Sequence, residues 1–95
     1  MAGYLDMLRC ADGSYYTGST TNLEVRIAQH DAGEGGAYTF RKRPVKLVYS
    51  CAFPTLHDAF LRERQVKGWS RRKKEALMRG DFDAIQRLAR GRRTD

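Results

Sequence analysis

Leu8-Arg9-Cys10-Ala11-Asp12-Gly13-Ser14-Tyr15-Tyr16-Thr17-Gly18-Ser19-Thr20 is the stretch from which the rest of the chain can be read. Asp12-Gly13, flanked by Ala11 and Ser14, is a hairpin signal, because a tight turn asks for a positive φ that glycine adopts without steric penalty. Upstream, Tyr4-Leu5-Asp6-Met7-Leu8-Arg9 reads as a strand. Its two-residue period puts Tyr4, Asp6 and Leu8 on one face and Leu5 and Met7 on the other. Downstream, Tyr15-Tyr16-Thr17-Gly18-Ser19 is the returning strand.

Thr20 or Thr21 can cap a helix from about Asn22 to Asp31, stopped by Gly33. Leu23 and Ile27 share one side of it, and Arg26 and His30 another, at i, i+4 spacing. Gly33-Glu34-Gly35-Gly36 reads as a flexible loop leading to Arg41-Lys42-Arg43. After Pro44, the run from Val45 to Phe53 is a third strand. Pro54-Thr55 caps a helix from Leu56 to about Val66, with Ala59, Phe60, Glu63 and Val66 on neighbouring faces and Gly68 at its end. Ser70 opens a helix to about Arg79, and Asp81 caps a last one carrying Phe82, Ile85, Leu88 and Ala89. Arg90 to Asp95 reads as a frayed basic tail. The expected order is β-β-α-β-α-α-α, an α+β (α/β) fold with a small three-stranded sheet, mixed or antiparallel, flanked by helices. Residues 1–80 would form the main domain and 81–95 a C-terminal helix and tail.

The 95 residues, 41% of them hydrophobic, suffice for one modest core. No run is long and apolar enough for a membrane span, and no secretion signal is evident, so a cytoplasmic protein is expected. The two cysteines, Cys10 and Cys51, make neither a disulfide framework nor a zinc pair and are expected reduced and buried.

Charge is more informative. The net +7 is very unevenly placed: residues 1–40 carry −3 and residues 41–95 carry +10. Such asymmetry suits a polyanion, since each neutralised phosphate releases condensed counterions. Scattered lysines and arginines more often only solubilise a surface. Here Arg41-Lys42-Arg43 and Arg71-Arg72-Lys73-Lys74 are dense enough to favour nucleic acid over a membrane surface.

Phosphodiester hydrolysis needs an oriented, deprotonated water, stabilised charge on phosphorus and a neutralised leaving oxygen. Tyr16, Arg26, His30 and Glu63 are side chains of suitable kinds on separate elements. Singly, each also has a plain structural reading: a strand aromatic, the wet side of a helix, an exposed ion-pair partner. Together they resemble the GIY-YIG nuclease family, in particular its small single-domain bacterial subfamily, over about Tyr4 to Met78. Tyr16-Thr17-Gly18 matches the second half of the family motif, and Tyr4-Leu5-Asp6 falls where the first half stands. Arg62-Glu63-Arg64-Gln65-Val66-Lys67-Gly68-Trp69-Ser70 resembles the subfamily's metal-glutamate helix.

The resemblance implies a metal-dependent endonuclease, structure-directed or non-specific and repair-related. Glu63 would hold one Mg²⁺ or Mn²⁺ with waters completing the shell. Arg26 would stabilise the scissile phosphate, and Tyr16, aided by His30, would orient or deprotonate the water. Arg41, Lys42, Arg43, Lys67, Arg71, Arg72 and Lys73 would grip the backbone without reading sequence. Trp69 is a core plug or a base-stacking ring. The departure is Asp6, where the family has a tyrosine. Its carboxylate would either pair with Arg26 or join Glu63 on the metal, and Tyr4 on the same strand face would offer a substitute phenol. Two further readings stand beside the enzyme: a DNA- or RNA-binding module whose catalysis is impaired by Asp6, and a subunit active only within a larger complex.

Overall fold

The computed structural model describes residues 2–34 and 41–93. The expected loop glycines Gly35 and Gly36 lie outside them. Strands β1 (Gly3–Arg9) and β2 (Tyr15–Thr20) form the hairpin, followed by α1 (Leu23–Asp31), β3 (Lys46–Phe53), α2 (Leu56–Lys67), α3 (Arg71–Arg79) and α4 (Phe82–Arg93). The sheet is antiparallel throughout, in the order β2-β1-β3. The turn is built as its residues demand: Gly13 N–H donates to the Cys10 carbonyl at 2.9 Å, and Cys10 N–H to the Ser14 carbonyl at 2.8 Å. Gly13 takes φ +86°, the left-handed conformation that closes a three-residue hairpin loop. Asp12 Oδ1 accepts the Ser14 N–H and hydroxyl.

Register carries the two-faced pattern across the sheet, pairing Tyr4 with Thr20, Asp6 with Gly18 and Leu8 with Tyr16. Leu5 and Met7 go to the face covered by α2 and α3, where they pack with Val66 and Leu77, and Trp69, Met78 and Ile85 close around them. Burial of each large side chain there contributes roughly 1.5–3 kcal/mol. On the opposite face Leu8 and Cys10 pack with Val45, against Tyr16 and Leu47. Both cysteines are free; Cys10 is buried as expected, but Cys51 on β3 is only partly so.

Three caps lie where the sequence puts them. Thr55 Oγ1 accepts from Asp58 N–H (3.1 Å), Ser70 Oγ from Lys73 N–H (3.2 Å) and Asp81 Oδ1 from Ala84 N–H (3.0 Å). The cap of α1 differs: it is Asn22, whose Oδ1 accepts the Val25 N–H, while Thr20 Oγ1 accepts the Asn22 N–H one step earlier. Two oxygen side chains thus share the turn, and the one further along takes the helix end. Nor does the chain fray at Arg90, since α4 runs on through Arg93. Phe60 and Phe82 are 44% and 61% exposed. Among the described residues no helix is long and apolar enough to cross a membrane.

Candidate active site

Helix α1 reverses the simple amphipathic reading. His30 is only 1% exposed, whereas Val25 is 50% exposed. Leu23, Arg26, Ile27 and His30 recur at helical spacing and form one inward stripe, so polar side chains are packed where a purely apolar face would be expected. They meet the sheet face bearing Asp6, Gly18 and Tyr16. The rings of Tyr16 and His30 lie 5.6 Å apart between centroids, tilted by 57°. The Arg26 guanidinium carbon stands 5.8 Å from the centre of the Tyr16 ring.

Gly18 makes this possible. A Cβ at that position would stand 2.7 Å from Arg26 Cζ and closer still to Nη2. The glycine of the Tyr16-Thr17-Gly18 motif is therefore a seat for the guanidinium. Gly18→Ala should push the Arg26 guanidinium off its seat while costing the fold little, because what must move is the end of a flexible, partly exposed side chain. Urea denaturation tests this: a loss of stability above about 1 kcal/mol would show that the arginine cannot move aside.

Asp6, directly across from Gly18, is 1% exposed. Of the two arrangements expected for it, the pairing with Arg26 is the one present: Oδ2 lies 2.6 Å from Arg26 Nε. The contact is an ion pair without a hydrogen bond. Neither carboxylate oxygen nor Nε has a hydrogen-bond partner among the described residues, so the N–H is turned off the line of centres. Burial raises the Asp6 pKa, Arg26 opposes the rise, and the charge of Glu63 adds to it. Desolvation thus outweighs the attraction, as it commonly does for buried pairs. Burial also lowers the His30 pKa, reinforced by Arg26, and favours the neutral imidazole.

Glu63 comes from α2 and is buried. Its Oε1 accepts the Ser19 hydroxyl at 2.7 Å, and its Oε2 pairs with Lys67 Nζ at 2.8 Å. Ser19 is the residue after Gly18, on the edge strand β2. Ser19 pairs with Leu5 and so faces the α2 side of the sheet, opposite the side on which Arg26 sits at Gly18, although the charge of Glu63 still reaches Asp6; sequence reasoning left this serine without a role. Among the described residues no three His, Cys, Asp or Glu side chains cluster as a metal cage. One carboxylate with retained waters is nonetheless an ordinary Mg²⁺ arrangement. The Lys67 ammonium on Oε2 marks a position where a cation already sits, and its half-exposed stem can leave it.

Of the other motif positions, Leu5 is in the core, and Thr17, 2% exposed, lies opposite Met7 on the α2 face. Tyr4 lines a separate cleft with Thr21, Asn22, Leu23 and Glu24, at the start of α1. The cations divide. Lys73 is buried, with its ammonium 4.3 Å from the Trp69 ring centre. Trp69 packs on the core between Lys73 and Arg62, as a plug rather than a free stacking surface. Lys42 pairs with Asp12 at 2.9 Å. Arg71 donates to the Gly13 carbonyl at 2.8 Å and covers Tyr15, tying α3 to the hairpin. Arg41, Arg43 and Arg72 remain exposed. Arg72 lines a cleft between α3 and α4 with Arg79 and Arg87, two cations that no dense sequence run had marked.

The three-stranded antiparallel sheet flanked by helices agrees with the comparisons. Residues 3–76 match the GIY-YIG catalytic domain, and the chain belongs to that family, whose members are generally nucleases. Within it, the chain is 49% identical over 75 residues to a UPF0213 protein of Natronomonas pharaonis, covering 79% of this chain and 88% of that one. It is 48% identical over 71 residues to a UPF0213 protein of Staphylococcus haemolyticus, covering 75% and 87%. The solution NMR structure of the UPF0213 protein BH0048 from Bacillus halodurans superimposes with a TM-score of 0.55 at 42% identity, covering 93% of this chain and 97% of that one.

Proposed function

We propose that this protein hydrolyses phosphodiester bonds in DNA, structure-directed or without sequence preference, with RNA as the second candidate substrate. The observation that carries the reading is the convergence of Tyr16, Arg26 and His30 around Gly18, with Glu63 held on the adjoining Ser19. Arg26 presents a planar set of donors suited to the non-bridging oxygens of a phosphate. Tyr16 and His30 orient the attacking water, and a neutral imidazole can accept its proton. Glu63 would hold a Mg²⁺ or Mn²⁺ ion once Lys67 swings off Oε2. Bound there, the ion would supply Lewis-acid stabilisation of charge on the phosphate. Nicking of supercoiled plasmid that depends on Mg²⁺ or Mn²⁺ and is abolished by Arg26→Ala tests the reading. A pure preparation that binds DNA but never nicks it with either metal would overturn it.

One observation favours a second reading, a nucleic-acid-binding module with impaired catalysis. Asp6 occupies Arg26, the group needed at the phosphate. The third possibility, activity only within a repair complex, would appear as nicking restored by cell extract.

Backbone recognition without base readout makes affinity fall steeply with salt. Replacing Arg72, Arg79 and Arg87 together should flatten the log–log dependence on duplex DNA by roughly 0.9 for each phosphate no longer neutralised. Anisotropy titrations between low and moderate salt measure this slope. An unchanged value would place the binding face elsewhere.

A further inference from the structure

Beside Glu63 lies a cleft of about 560 Å³ that the phosphate chemistry leaves unused. Ser19, Thr20 and Thr21 line one side of it, and Leu56, His57 and Phe60 the other. Leu56 and Phe60 are 40% and 44% exposed, although the core of this small chain has few large side chains. Apolar groups left in a cleft among a few polar ones are the usual make-up of a ligand site. Two features join the cleft to the candidate active site. Ser19 both lines it and donates to Glu63 Oε1. Phe60 stands one turn of α2 before Glu63.

One cation stands at its side: the Arg64 guanidinium is 6.0 Å from the Phe60 ring centre, whereas the charge of Lys67 is taken up by Glu63. An apolar pocket with hydroxyls at its rim and an arginine beside it matches one kind of occupant: a planar heterocycle on an anionic chain. Resting on the nuclease reading above, we propose that this cleft takes an unpaired nucleobase of the strand being cut, stacked on Phe60 with its edge toward the threonine hydroxyls and His57. In a duplex the base would first have to be unpaired and unstacked, which costs free energy that a single strand or flap does not need. The preferred substrate is therefore a strand with unpaired nucleotides, and sequence tolerance follows because every base has a stacking face.

The test uses the full chain carrying Glu63→Gln, so that binding is measured without cleavage, and short DNA and RNA oligonucleotides in single-stranded and duplex form. A single strand should bind more tightly than the matching duplex. An abasic site at one position of that strand should lower affinity about tenfold. Phe60→Ala should weaken single-strand binding by a similar factor, leave duplex binding within about twofold, and erase the abasic penalty. Because Phe60 is exposed, the variant should fold normally, which circular dichroism checks. Equal binding of single strand and duplex, or an abasic penalty that survives Phe60→Ala, would overturn the proposal while leaving the nuclease reading intact. Failure to bind any of the four oligonucleotides would overturn both.

Discussion

Glu63→Gln is expected to lower metal-dependent nicking by about two orders of magnitude or more, the scale on which losing one electrostatic group at a reacting centre is felt. Fold and DNA affinity should barely change. Glutamine keeps an oxygen to accept the Ser19 hydroxyl, which now stands 2.7 Å from Oε1. What it loses is the charge that a hard divalent cation requires. The Lys67 pair goes too, but with that lysine half-exposed the pair is worth no more than about 0–1 kcal/mol. Plasmid nicking at several Mg²⁺ and Mn²⁺ concentrations, with a thermal melt as control, gives the answer. Full Mg²⁺-dependent activity in the variant would remove Glu63 from the metal.

The second large effect is a gain. Asp6→Tyr should raise cleavage by at least about tenfold, roughly 1.4 kcal/mol of transition-state stabilisation. In the chain as it stands, Arg26 faces a buried carboxylate at 2.6 Å, in a pair that lacks a hydrogen bond. A phosphate must compete with that carboxylate for the guanidinium. A tyrosine there frees the arginine and returns a phenol near Tyr16. Asp6→Asn, nearly identical in shape, separates the two contributions: it removes the competing charge without adding the phenol and should give a smaller gain. It also guards against a tyrosine too large for the site. If both variants cut less than the parent chain, the aspartate is a working group and its pairing with Arg26 belongs to the mechanism.

What sequence reasoning recovers of this molecule is what local chemistry determines. Gly13 has to sit in a turn, and Thr55, Ser70 and Asp81 have to cap helices, because each effect reaches only two or three residues. The cap of α1 escapes it for the same reason: Thr20, Thr21 and Asn22 are all competent, and the choice depends on how the chain leaves β2. Questions of partnership are harder. An apolar side chain does not disclose whether anything will cover it, and the fold leaves Phe60 and Phe82 exposed. Likewise Lys73 looks like one more surface charge, yet Trp69 draws it into the interior. The family motif suggests the grouping of Tyr16, Arg26 and His30, but the reason it needs Gly18 is steric and emerges only when β2 and α1 are packed. Ser19 gives no signal at all, because its partner is 44 residues away.

The two ion pairs at the centre, Asp6 with Arg26 and Glu63 with Lys67, have a consequence for how encounter and turnover divide. Their four charges cancel, so the centre exerts little long-range field of its own. Attraction of a polyanion from solution falls to the outlying arginines, which steer without touching the reacting bond. The association rate of a substrate should therefore respond to charge changes at the periphery, while turnover at saturation responds to the centre. On the nuclease reading, capture and cutting would be carried by different parts of a very small protein, and each could be altered without remaking the other.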